Sequence, residues 1–135
     1  MGYELLNIFF FIFHSCIVLI NVFGWMFKAT RRWSLVCLLL TGASWFILGI
    51  WYGWGYCVCT HWHWEVRSKL GYNDHSNNYI HFLILKLTGI DLPQALVEKW
   101  IMIIFVISLL MCIALSLRDH LKRKKKLYLS KQNEF

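Results

Sequence analysis

The sequence predicts an all-α membrane protein with three transmembrane helices and short amphipathic or partly re-entrant helices in one long outer loop. Three observations predict it. Apolar residues make up 59% of the 135-residue chain and charged residues 16%, against usual shares of about 45–50% and about 25%. Three apolar runs each reach the length of about 20 residues that a bilayer crossing needs. The basic residues gather where alternate crossings would bring them to one side. A soluble domain this short has too little polar surface to cover so much hydrocarbon, so lipid is the solvent that fits.

The first run, residues 3–27, carries Glu4 and no Lys or Arg at its start and ends in Lys28-Ala29-Thr30-Arg31-Arg32. A cleaved signal peptide would have a basic start, a shorter apolar core and a small-residue cleavage site. The run therefore reads as a retained helix with its N-terminus outside. The second run, 33–54, returns outward to an aromatic end (Trp51, Tyr52, Trp54, with Tyr56 beyond) of the kind that anchors at the headgroup level. Residues 55–92 form the outer loop. Within it Thr60 is placed to cap a Trp-rich helix that Gly71 ends, and residues 72–78 read as a polar turn. Residues 79–87 then form a second apolar stretch, interrupted by His81 and Lys86 and closed by Gly89. This stretch is too short to span. A four-helix bundle, the alternative, would put both termini on one side, against the charge distribution. The third run, 95–117, opens on Asp91, Pro93 and Gln94, read as a carboxylate cap, a first-turn proline and a Gln three residues after the cap. Residues 118–135 continue it as a basic tail on the cytoplasmic side, where it meets anionic lipid headgroups. The whole of 1–135 is a single domain.

The formal charge of +7 first points to nucleic acid, so position decides. Lys28, Arg31 and Arg32 sit in one short loop; Arg118, Lys122, Arg123, Lys124, Lys125, Lys126 and Lys131 sit in the tail. Only Asp119 and Glu134 accompany them. The rest of the chain has Arg67, Lys69, Lys86 and Lys99 against Glu4, Glu65, Asp74, Asp91 and Glu98. This is positive-inside sorting, and no nucleic-acid partner is expected. The five cysteines make no disulfide framework, and Cys16, Cys37 and Cys112 lie inside apolar runs as small apolar residues.

Polar residues inside the runs fall on seams. Asn7, His14 and Asn21 recur every seven residues, so they share one stripe of the first helix with about 20° of drift per step. The second helix has Gly49 and Gly53 at small-xxx-small spacing, with Thr41 and Ser44 further in; the third has Ser108, Cys112 and Ser116 at i, i+4, i+8. Such seams let helices approach and hydrogen-bond within a membrane. His14, near mid-membrane, is read first as a neutral residue bonded to a neighbouring helix, and otherwise as a contact for a proton, a metal, a haem, a quinone or a lipid. Cys57, Cys59, His61 and His63 alternate along the outer segment and would face one way if extended. On a helix His61 and His63 diverge by about 200°. The spacing matches no standard zinc pattern, so neither a metal nor another cofactor is expected.

The sequence resembles a family of bacterial membrane proteins, domain of unknown function 2784. The resemblance rests on His14 followed ten residues later by Gly24, on Trp45 in the second helix, and on the stretch Tyr56-Cys57-Val58-Cys59-Thr60-His61-Trp62-His63-Trp64-Glu65-Val66-Arg67. Cys57, Thr60 and Arg67 fall in register with the family's characteristic segment, and Leu70-Gly71-Tyr72 and Tyr79-Ile80-His81 continue it. Val58 and Cys59 replace the usual Pro-Leu, and His63 stands where many members have Glu, so Cys59 is a local feature. The resemblance covers most of residues 10–92. It implies an architecture, a bacterial inner-membrane location and a shared outer-face site, without an activity.

Three functions remain open on the sequence. The first expectation is an accessory or structural subunit of a membrane complex, partnered by other membrane proteins or by copies of itself, with no catalysis. The second is a membrane enzyme, or a cofactor- or lipid-binding protein, with a site between the outer loop and the first helix formed by His14, Cys57, Thr60, His63, Glu65, Arg67 and His81. The third is a component of an oligomeric transporter.

Overall fold

The computed structural model describes residues 1–73 and 78–135. Among these, three helices are long and apolar enough to cross a membrane: α1 (Gly2–Phe23, extended by a 3-10 turn Gly24–Met26), α2 (Arg31–Tyr52) and α5 (Gln94–Asn133). Two shorter helices, α3 (Val58–Lys69) and α4 (Tyr79–Thr88), lie between α2 and α5. The ten residues of α4 rise about 15 Å, half of a hydrocarbon core of about 30 Å, so three crossings remain. The 40 residues of α5 rise about 60 Å, more than a whole bilayer of about 45 Å, and carry its charged end beyond the apolar layer. The polar turn read over 72–78 lies largely outside the described residues.

The bundle exposes large apolar side chains and buries polar ones beside its apolar core. Ile8, Phe9, Ile12 and Leu19 on α1, Leu39 and Leu40 on α2, and Val106, Ile107 and Leu110 on α5 are all exposed. Buried positions include His14, Arg31, Ser34, Thr60, His63, Arg67 and Ser108. Charged side chains such as Arg31 and Arg67 are almost never fully buried unless paired. Here the buried polar groups hold helices together where apolar contact with lipid is as favourable as contact with protein.

The tightest knot is at the basic end. The last carbonyls of a helix lack a full set of intrahelical partners; at the end of α1 and its 3-10 turn, Ile20 O (which also accepts from Gly24 N), Gly24 O and Trp25 O receive side chains from the start of α2. Ser34 Oγ donates to Ile20 O at 3.1 Å, Thr30 Oγ1 to Gly24 O at 2.7 Å, and Arg31 Nε to Trp25 O at 3.1 Å. The Arg31 guanidinium also pairs with Asp119 of α5, so one buried arginine joins all three crossings. Above it Leu38, Phe105 and Cys112 form the apolar core, flanked by Trp25, Leu35, Trp45 and Leu109. Ser108 and Cys112 of the α5 seam are buried in this junction, whereas Ser116 lines a cavity among the basic residues.

The opposite end is built by a reversal. After a π-helical turn at Ser44–Leu48, α2 stops at Gly53, whose φ of +108° ends the helix; Gly55 follows at +79°. Side chains rarely adopt such angles. The chain then descends beside α2, passing 3.6 Å from the Cβ position at Gly49, and Ser44 Oγ donates to Tyr56 O at 3.0 Å. Ser44 lies eight residues before Tyr52, about 12 Å back along the helix. Gly49 and Gly53 thus accommodate the chain's own return and not a neighbouring crossing.

From there α3 runs antiparallel to α1. His63 meets Asn7, and the Lys69 ammonium lies 5.1 Å from the centre of the Tyr3 ring. The loop therefore packs against the side of α1 instead of covering the helix ends. Two cap readings are corrected. The helix opens with His61 N bonded to Cys57 O, so Thr60 is a buried interior residue and not the cap. Asp91 does not cap α5, because its carboxylate bonds His81 Nε2 at 3.1 Å; Pro93 takes the cap position and accepts from Val97 N.

At Gly24 the 3-10 turn packs closely on α2: a Cβ there would stand 3.0 Å from Ser34 Cβ and 3.2 Å from its Oγ. Its φ of −62° is ordinary, so the cost of a side chain is steric alone. We expect Gly24→Ala to destabilise the bundle by about 1–3 kcal/mol, read as a lowered thermal midpoint in mild detergent. Gly2→Ala, which meets open space, should leave the midpoint unchanged.

Candidate functional site

Two cavities lie between α1, α2 and the 55–92 segment. One, of about 490 Å³, is walled by His14 of α1, Thr41 and Trp45 of α2, Tyr56 and Cys57 of the reversal, Thr60 and Trp64 of α3, Asn78 and Tyr79 of α4 and Glu98 of α5. The other, of about 440 Å³, is walled by Val18 and Val22, Ile80 and Ile84, and by Val97, Trp100, Ile104 and Phe105 of α5. The first is mixed and polar, the second almost wholly hydrocarbon. Val18, Asn21, Thr41, Trp45 and Ile80 line both, so the chambers meet. Leu96, Trp100 and Ile104 on the wall of the apolar chamber are also exposed on the face where lipid would lie.

The polar stripe of α1 organises the site, and each of its members takes a different partner. Asn7 Oδ1 lies 2.8 Å from His63 Nε2 on α3. His14 stacks on Tyr79 of α4 with ring centres 3.9 Å apart and planes 11° apart. Tyr79 is held by α1 itself: its hydroxyl donates to Phe11 O at 3.0 Å and accepts from Ser15 Oγ at 3.0 Å. Asn21 Nδ2 donates to Thr41 Oγ1 at 2.9 Å, which donates on to Cys37 O at 2.8 Å. The buried Nδ1 of His14 and Oδ1 of Asn21 meet no partner among the described residues. An unsatisfied buried acceptor costs about 1–3 kcal/mol, and both of these side chains line the joined chambers.

The seven residues singled out from the sequence do not form one cluster. His14, Cys57 and Thr60 come together on the polar chamber. His63 is fully buried behind them, among Phe10, Trp64, Tyr79 and Phe82. Arg67, also buried, lies over Tyr72 and Phe82 at 4.6 and 4.8 Å, beside a smaller cavity shared with Asn7 and Lys86. Glu65 is exposed and faces His61 at 3.7 Å. His81 points to Asp91 and to Leu92 O, away from the chamber. The four alternating Cys and His ligands are likewise dispersed by the helix, and no three His, Cys, Asp or Glu among the described residues converge as a metal would need. Ser15, Tyr79, Asn78 and Glu98 complete the site without having been singled out. Ser15 and Phe11 are one helical turn apart, a spacing that could have identified a landing for Tyr79.

The start of α3 tunes the two cysteines in opposite directions. A hydrogen bond from Cys59, assisted by Thr60, lowers the Cys57 thiol to about 6 against the opposing effect of burial. Cys59, which donates that bond, is raised. Of the two, Cys57 lines the polar chamber. Burial raises Tyr79, which stays a neutral donor. Burial first, and then the positive charges of Arg67 and Lys86, lower His63 to about 4.

At neutral pH His63 is thus uncharged in the fold, and Nε2–H donates to Asn7. Its folded value lies below the unfolded 6.5, so the unfolded chain binds more protons between these values. Stability from this residue is fully present above pH 6.5 and is lost as pH falls toward 4. The slope is at most about 1.4 kcal/mol per pH unit. His63→Gln, which keeps a donor for Asn7 and does not titrate, should flatten the fall of the thermal midpoint between pH 6.5 and 4 relative to the unmodified chain.

No curated protein and no solved structure matches the chain. One family model, described as Protein of Unknown function (DUF2784), matches residues 4–117, from the first turn of α1 to the end of the apolar part of α5. The match takes in all three crossings, the reversal and every residue of the joined chambers, and the chain belongs to the DUF2784 family.

Proposed function

We propose that the protein binds a membrane amphiphile, its chain in the apolar chamber and its polar end beside His14. The observation that carries this reading is that the polar and apolar chambers meet at Asn21, Thr41 and Trp45. A wholly polar ligand would leave the hydrocarbon chamber unfilled, and a simple hydrocarbon would leave the buried acceptor of Asn21 unsatisfied. A long chain ending in a hydroxyl, amide or similar hydrogen-bonding head fits both. Pockets of 300–1,000 Å³ are the usual range for such ligands. Entry is sideways from lipid, past the exposed Leu96, Trp100 and Ile104.

The convergence of polar groups on a cavity favours binding over a purely structural role as an accessory subunit, where seams would be filled by neighbouring helices. It favours binding over transport as well, since Phe105 of the apolar chamber's wall belongs to the packed core with Leu38 and Cys112. We place the basic end in the cytoplasm and the chambers at the opposite face of a bacterial inner membrane, on the positive-inside rule.

The full chain purified in mild detergent should carry a defined amphiphile visible by native mass spectrometry. Ile84→Trp, which fills the apolar chamber, should reduce that bound mass by about tenfold, equivalent to about 1.4 kcal/mol. Ile103→Trp, an exposed position outside both chambers, should not. Equal retention by both variants, or release of nothing but bulk phospholipid from all three proteins, sinks the reading. An associated membrane protein in place of an amphiphile would restore the subunit role.

A further inference from the structure

A third cavity, of about 690 Å³, lies at the basic end between the α1–α2 connection and α5. Lys28 and Arg32 bound it on one side; Lys122, Arg123 and Lys126 bound it on the other. Asp119 is the one carboxylate among its lining residues, and Arg31 holds it. That guanidinium is buried and fixed through Nε to Trp25 O, so the ion pair is a wall and not a movable counter-charge. The five remaining cations have no opposing charge in the lining. Lys122 and Lys126 stand one turn apart, where like charges repel and weaken a helix. The cavity sits just past the apolar part of α5, at the depth where headgroup phosphates lie. It shares no residue with the two chambers, so it stands or falls independently of the amphiphile reading.

We propose that this cavity binds a phosphoryl anion carrying two or more negative charges, supplied by a polyanionic lipid headgroup or by a free diphosphate. Arg32 and Arg123 offer planar forks that match phosphate oxygens, and the lysines add point charge. An anion there cancels the repulsion along α5 and bridges it to the α1–α2 connection. A polybasic tail attracting a charged membrane surface would not need a cavity, and that difference makes the inference testable.

The full chain in phosphatidylcholine nanodiscs is titrated with inorganic pyrophosphate by calorimetry. In parallel, cardiolipin bound in competition with phosphatidylcholine is counted by native mass spectrometry. The variant R32Q/K122Q removes two cavity charges at exposed positions; K124Q/K125Q removes two charges from α5 outside the cavity. The expected result is that R32Q/K122Q weakens at least one probe by about 30-fold, while K124Q/K125Q changes both by less than about threefold. Selective weakening of cardiolipin assigns the ligand to the lipid, and of pyrophosphate to a soluble anion. Equal weakening by the two double variants, or no binding of either probe, overturns the proposal.

Discussion

A chain leaving the top of α2 has carbonyls without helical partners and a bilayer around it that offers no water. In such surroundings irregular backbone persists only where protein satisfies it or a cavity is lined by it. The bond from Ser44 Oγ to Tyr56 O meets that demand, and much of the site geometry depends on it. It holds the reversal through Gly53 and Gly55 against the side of α2. It starts α3 well below the end of α2 and so sends it back along α1. Without that depth Cys57 and Thr60 would stand above the crossings and could not share a chamber with His14. The π-helical turn at Ser44–Leu48 belongs to the same device: the extra residue per turn rotates Trp45 into both chambers and against Phe105, with ring centres 4.9 Å apart.

The two ends of the bundle use different physics. At the basic end, side chains of α2 fill the hydrogen-bonding vacancies at the end of α1, and Arg31 ties in α5. The α1–α2 bonds are short in sequence, the tie from Arg31 to Asp119 is long, and the junction is packed around Leu38 and Cys112. At the other end the contacts are aromatic and distant in sequence: Tyr79 on His14, Phe82 on His63, Arg67 over Tyr72 and Phe82. The two joined chambers lie on that side, above the packed junction of Leu38, Phe105 and Cys112.

The crossings were legible in the sequence because they depend on local quantities, apolar run length and basic loops. The α1 seam was legible too, since heptad spacing puts Asn7, His14 and Asn21 on one stripe whatever they touch. What they touch was not. His14 and Tyr79 are 65 positions apart, and no periodicity links them; their meeting depends on the reversal at Gly53 and Gly55, and Gly53 with Gly49 reads equally well as a helix-packing motif. The same reversal explains why the outer segment's candidates scattered. On α3 the i, i+3, i+7 positions Thr60, His63 and Arg67 are buried, while His61 and Glu65 face outward, so alternation along the sequence carried no information about convergence.

This division bears on how His14 should be understood. A histidine bonded only to a neighbouring helix would be a structural residue with its polar atoms satisfied. Here the ring is stacked on Tyr79 and its Nδ1 is unpartnered among the described residues, while the hydrogen bonds that fix the geometry belong to Tyr79, Ser15 and Phe11. The fold thus assigns holding and contacting to different side chains. Tyr79 clamps α4 to α1 and presents a flat surface; His14 lies on that surface with Nδ1 unpartnered among the described residues. A group whose position does not depend on its own hydrogen bonds can exchange them with a ligand at little structural cost.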